Sequence, residues 1–175
     1  VTREQLEHII RAAASIADDD ELIIVGSQAV LGQYPNAPPE LLVSTEADVY
    51  PKHHPDRADL IDGAIGEGSE FHETFGYYAQ GVGPTTAVLP AGWESRLVPA
   101  YGPGTRGATG WCLEIHDLVL SKLVAGREKD IRYARDVARH GMVRKDELVE
   151  RLATMTLESA VRDAVARRVE ALQGG

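Results

Sequence analysis

Cysteine, lysine, aromatic residues and long apolar runs are all scarce in this chain, and each shortage narrows what it can do. A single cysteine, Cys112, cannot close an internal disulfide. Its place in the apolar run Trp111-Cys112-Leu113 marks it as a packing residue rather than a redox centre or nucleophile. No apolar stretch approaches the ~20 residues that span a bilayer, so no membrane role is expected. The segment Val1 to His8 lacks the apolar core of a secretory signal, and the expected location is the cytoplasm. Aromatic residues make up 6% of the chain, and its two tryptophans, Trp93 and Trp111, read as core rather than as platforms for a base. Positive charge is also short. Lys and Arg number 18 against 27 Asp and Glu, a net charge of −9. That argues against a protein that coats itself in nucleic acid, because non-specific binding rests on neutralising phosphates. It leaves room for a local basic cleft.

What is present fits one compact domain: 175 residues, 43% hydrophobic and 26% charged. Leu6, Ile9, Ile10 and Ala13 recur at i, i+3, i+4 and i+7, which predicts an amphipathic helix over residues 3–17. Leu22 to Val25 is a short β-branched run ending at a glycine, hence a buried strand, and residues 27–31 read as the start of a helix. After the break at Pro35-Asn36-Ala37-Pro38-Pro39, a second strand is expected over 41–50, ending at Pro51. A helix follows over 56–65, and then short antiparallel strands or loops cut by glycine and proline from 71 to 101. Residues 102–110 form a glycine-rich loop that lacks the Lys-Ser/Thr a phosphate loop requires. A last strand at 111–115 precedes helices from 116, over 128–140, 146–152 and 157–172. The expected fold class is α+β, a small mixed sheet with flanking helices followed by a C-terminal helical part. Residues 1–140 would form the α/β domain and 141–175 a helical extension of the same unit.

Chemistry concentrates at three places. Gly26-Ser27 lies at the strand-to-helix junction, where a hydroxyl and free backbone N–H groups can face a phosphate. About twenty residues on, Glu46 and Asp48 point to the same side of an extended segment and could together hold Mg²⁺. Two of the four lysines, Lys122 and Lys129, share one short segment with Arg127 and Asp130. Lysine is a compact, mobile point charge suited to phosphate, whereas arginine serves this chain's surface elsewhere. Phosphate cradle, metal clamp and lysine together point to nucleotidyl or phosphoryl transfer.

In order and context, Val25-Gly26-Ser27-Gln28-Ala29, Glu46-Ala47-Asp48-Val49 and Lys122-Leu123-Val124-Ala125 with Asp130 resemble the nucleotidyltransferase fold of the DNA polymerase β type. More narrowly, the chain is similar to bacterial nucleotidyltransferase-like proteins related to the AbiEii and MenT toxins of toxin–antitoxin systems, over residues 20–140. The resemblance implies Gly26 and Ser27 for the triphosphate, Asp48 with Glu46 for Mg²⁺, Lys122 for phosphate and Asp130 for a later acidic role. Arg127 and Lys129 become further nucleotide contacts because they flank Asp130. It implies an Mg²⁺-dependent enzyme that moves an NMP group from an NTP to a macromolecular acceptor, a tRNA 3′ end in the first instance, with a cognate antitoxin protein as partner. A non-catalytic scaffold that binds nucleotide or a partner protein, and an enzyme that AMPylates protein, are the alternatives. The toxin relatives carry Thr-x-Asp-hydrophobic-Asp on the strand, whereas this chain has Thr45-Glu46-Ala47-Asp48-Val49-Tyr50. Asp48 therefore aligns either as the second acid, with Glu46 first, or as the first, with Tyr50 in place of the second. Glu73 and Glu114 are the candidates for a third carboxylate. His53-His54, between prolines, reads as a surface turn, and Arg132, Arg135 and Arg139 as a solvated helical face or a basic stripe.

Overall fold

The computed structural model describes residues 1–172, so the last residues of the expected 141–175 extension lie outside the described residues. The chain opens with helix α1, Arg3–Ala17, closed at its start by a reciprocal cap: Gln5 N–H donates to Thr2 Oγ1 at 3.2 Å, and Thr2 N–H donates to Gln5 Oε1 at 3.0 Å. Leu6, Ile9, Ile10 and Ala13 are buried, as their spacing predicts. Strand β1, Glu21–Val25, then passes through a 3-10 turn at Ser27–Ala29 into the short helix α2, Val30–Gln33. Strand β2 is Glu46–Pro51, helix α3 is Ala58–Ile65, helix α4 is Glu70–Phe75 and strand β3 is Tyr78–Gly81. Strands β4, Val98–Ala100, and β5, Thr109–Cys112, complete the sheet. Helices α5, Ile115–Ala125, α6, Glu128–Arg139, α7, Lys145–Leu152, and α8, Ser159–Glu170, form the rear.

The five strands run in the order β3-β2-β1-β5-β4. β1 is antiparallel to β2 and parallel to β5, while β2 and β3 are parallel and β4 and β5 antiparallel. The fold is therefore the expected α+β class with a mixed sheet, flanking helices and a helical rear. Side chains alternate along each strand, so the sheet has two unlike faces. Leu22, Ile24, Ala47, Val49, Ala79 and Cys112 make a buried face. There α1 packs so closely that a methyl group on Gly110 would collide with Ile10, and α2 lies against Cys112 through Gly32. Burial pushes the Cys112 thiol up to about 12, in keeping with a packing role. Registered pairs Val25 with Asp48, and Asp48 with Gln80, belong to the other face, which carries the polar residues.

Several boundaries differ from the sequence expectation. β2 begins at Glu46 because Pro39–Leu41 turns as a 3-10 helix after two prolines. In the segment 71–101, α4 precedes β3, and β3 pairs with β2 in parallel rather than as an antiparallel meander. Thr86 to Leu89 is irregular. The expected loop over 102–110 ends at Ala108, since β5 takes Thr109 and Gly110; it packs under α1 on the face away from the polar residues, where Gly104 N–H donates to Glu7 Oε1 at 3.2 Å and its carbonyl accepts from Arg11 at 2.6 Å.

Candidate active site

β1 ends at Val25 and is followed by Gly26, whose φ of +74° lies in the left-handed region that favours glycine. A methyl group there would collide with the Asp48 carboxylate, so the turn and the acid strand meet with no room to spare. This close approach joins two sequence fragments twenty residues apart. Ser27 follows, its hydroxyl accepting from Gln28 Nε2 at 3.1 Å. Its carbonyl accepts from the Tyr133 hydroxyl of α6 at 2.7 Å. Tyr133 thus ties the Gly-Ser turn to the later helices, a link that no local pattern in the sequence announces.

Ser27, Glu46, Asp48, Lys122, Arg127, Lys129 and Asp130 all line one cleft of about 530 Å³. Gly26 lies behind this lining, against Asp48. Of the two alignments of the acid strand, the structure puts Glu46 and Asp48 at the cleft, while Tyr50 is 6% exposed and outside its lining. Neither candidate for a third carboxylate is there. Glu114 is held by Arg151 and by the His116 ring, and Glu73 belongs to α4, away from the cleft. The neighbour of Asp48 on β3 is instead Gln80, an amide that also lines the cleft.

The electrostatics of Asp48 set it apart. Burial, then the like charge of Glu46, push its carboxyl from 3.8 up to about 6, against the pull of Lys122, Lys129 and Arg127. Its Oδ1 is buried and accepts no hydrogen bond. A buried carboxylate oxygen without a partner, beside a second carboxylate, is a place short of positive charge. Among the described residues no three His, Cys, Asp or Glu side chains converge as a complete metal cage. Two carboxylates facing an open cleft nonetheless suit Mg²⁺, which commonly takes one or two protein carboxylates and fills its remaining positions with phosphate oxygens and water. The donor set fits that ion.

Across the cleft, α5 ends at Gly126 and α6 starts from Arg127. Asp130 is 1% exposed and accepts from the Arg127 N–H at 3.2 Å and from Arg127 Nε at 2.7 Å, which caps α6. Its other oxygen lies 3.6 Å from Lys122 Nζ. Burial raises the Asp130 carboxyl, but the Arg127 hydrogen bonds and the Lys122 charge outweigh it and hold the group below its ordinary value. Burial lowers the Lys122 ammonium, with Asp130 and Asp48 opposing. Lys122 also sits 5.2 Å from the centroid of the Tyr133 ring. Lys129 and the 62% exposed Arg127 side chain stand at the rim. The arrangement is a carboxylate edge facing a cationic edge across a glycine turn, suited to a triphosphate with a divalent ion.

Most other candidate residues fall outside this site. His53 binds Glu21 through its ring and Asp19 through its N–H at the sheet end, and among the described residues the group forms no metal cluster. Trp111 is partly buried and donates to Glu21 Oε1 at 2.9 Å. Arg139 is engaged by Glu40 and Asp136, both at the cleft rim, whereas Arg132 lines the cleft itself. No helix among the described residues is long and apolar enough to cross a membrane.

Comparison with protein families matches residues 4–172 to the family described as a nucleotidyltransferase of unknown function (DUF6036). No curated protein and no solved structure matches the chain.

Proposed function

The chain belongs to that nucleotidyltransferase family, and from this premise we propose that it is an Mg²⁺-dependent enzyme that transfers an NMP group from an NTP to a hydroxyl of a macromolecular acceptor. The observation that carries the reading is the close approach of Gly26 to Asp48, beside a cleft that Ser27, Glu46, Asp48 and Lys122 line together. Gly26 and Ser27 would bind the triphosphate, with Lys122, Arg127 and Lys129 along its β- and γ-phosphates. Glu46 and Asp48 would hold Mg²⁺, which when bound neutralises phosphate charge and the charge that develops on the leaving pyrophosphate. The acceptor oxygen bonds to the α-phosphorus as the bond to the β-phosphate oxygen breaks. Asp48 takes the hydroxyl proton at a carboxylate oxygen. Lys122 steadies pyrophosphate as it leaves. Asp130 acts through Lys122 and Arg127, which it positions.

The similarity of the Gly-Ser and Glu-x-Asp segments to the AbiEii and MenT toxins makes a tRNA 3′ end the first acceptor to test and a cognate antitoxin the partner to seek. Protein AMPylation keeps the chemistry and changes the acceptor. A second reading, a scaffold that binds nucleotide without turnover, is favoured by Gln80, which places an amide beside Asp48. Incubation with labelled NTPs, Mg²⁺ and total tRNA separates these. Label on RNA that disappears in Asp48→Ala supports the leading reading, and label on protein supports AMPylation. Bound NTP with no transfer to either acceptor supports the scaffold and overturns the enzyme.

A further inference from the structure

We propose that Tyr78 is the positioning residue for Glu46, fixing that carboxylate as an ion ligand. The proposal rests on the nucleotidyltransferase reading of the cleft and adds a residue that neither the motifs nor the family description points to. The parallel pairing of β2 and β3 places Tyr78 opposite Glu46, as it places Gln80 opposite Asp48. The pairing is anchored beside the site, with Tyr78 N–H donating to the Thr45 carbonyl at 3.0 Å. The Tyr78 hydroxyl donates to Glu46 Oε2 at 2.6 Å, a short bond of the charge-assisted kind.

The ring is itself held. Tyr78 is 9% exposed, and the His72 imidazole from α4 lies 4.5 Å from it, centroid to centroid, tilted by 46°. His72 in turn accepts the Gly68 N–H at Nδ1 at 3.0 Å, at the turn before α4. A chain of contacts therefore runs from the Gly66–Ser69 turn through His72 and Tyr78 to Glu46. Glutamate has one more rotatable bond than aspartate and loses more freedom when it binds an ion. Asp48 is confined by burial against Gly26, whereas the half-buried Glu46 has its carboxylate held by the phenol. Outer partners of this kind orient ligating carboxylates, and their loss commonly weakens metal binding about 10–100-fold.

The test is Tyr78→Phe, which keeps the ring and removes the donor. Mn²⁺ uptake is followed by electron paramagnetic resonance in the presence of a non-hydrolysable NTP analogue, so that turnover is not required. The expected result is a half-saturating Mn²⁺ concentration roughly 10-fold higher than for wild type. Nucleotide binding without metal should be unchanged, and in a Glu46→Gln background Tyr78→Phe should add nothing further. Equal Mn²⁺ uptake by wild type and Tyr78→Phe overturns the role of Tyr78 and leaves the proposed function standing. Wild-type protein that takes up no Mn²⁺ with the analogue overturns both. A measurement on the unaltered protein covers the case in which Tyr78→Phe does not fold. The ¹³C-labelled Tyr78 ring resonance should shift when Mg²⁺ is added with the analogue, and an unmoved resonance overturns the proposal.

Discussion

At Asp48 two effects push the same way: burial removes solvent from the carboxylate and Glu46 adds a like charge, so the group reaches about 6 in the fold against 3.8 unperturbed. A carboxyl with a raised folded value stabilises the protein below the unfolded value and loses that contribution as pH rises through the folded one. Ionised Asp48 therefore costs the fold about 3 kcal/mol at neutral pH. Asp48→Asn should raise the melting temperature at pH 7.5, with the gain shrinking as pH falls through about 6 and gone below the unfolded value of 3.8, as thermal melts across that range would show. The same variant should lose nucleotidyl transfer. Stability gained with activity lost is the pattern of a residue kept for chemistry. The same-face spacing of Glu46 and Asp48 was legible in the sequence because strand alternation is local. The displacement of Tyr50 was not, since Tyr50 shares that face and only its surroundings take it out of the cleft.

Helix α6 shows how one element can carry two duties. Asp130 caps its first turn through the Arg127 N–H and also pairs with Lys122 of α5. Removing the carboxylate uncaps the helix and leaves two neighbouring cations without their counter-charge. Asp130→Ala should destabilise the protein by roughly 2–4 kcal/mol in urea unfolding. NTP affinity should fall alongside, because Lys122 and Arg127 lose their common anchor, and calorimetric titration would measure it. Elements with a strong local signal were readable. The period of α1 predicts its span over Arg3–Ala17, and the Thr2 to Gln5 cap explains why it starts there. α4 was not readable, since six residues between glycines hold less than two turns of pattern. Nor was the parallel pairing of β2 and β3, which is set by how α3 crosses the sheet between them rather than by anything in either strand.

Over the whole molecule, the turn before β4 and the helical rear are joined by a charge network centred on one buried acid. Asp117 of α5, fully buried, accepts from Arg96 at 2.9 and 3.0 Å and from Arg151 of α7 at 3.1 Å. Arg151 also binds Glu114 and, at 2.8 Å, Glu147. His116 belongs to the same group: Glu114 holds one ring nitrogen, while Nε2 accepts the Arg144 N–H at 3.0 Å. Breaking such a group leaves uncompensated charge inside. Asp117→Ala should cost about 3–5 kcal/mol. If residues from 141 onward extend the same unit, as we propose, circular dichroism and tryptophan fluorescence should report a single, coincident urea transition in wild type. The rear helices should come away before the sheet in the variant.

The sequence by itself determined the α+β class, the amphipathic first helix, the Gly-Ser turn, the acid strand and the lysine segment. Each of these is written in short-range terms: hydrophobic period, turn chemistry, and residue types at fixed spacing. Only the tertiary structure decided which of these fragments share a cleft and which residues support them. Tyr78 reaches Glu46 across a parallel pair, Tyr133 reaches the Ser27 carbonyl from 106 residues away, and Gln80 stands beside Asp48. These contacts arise because buried apolar surface brings distant segments together, and close packing then leaves each polar group only the partners that the fold puts within reach.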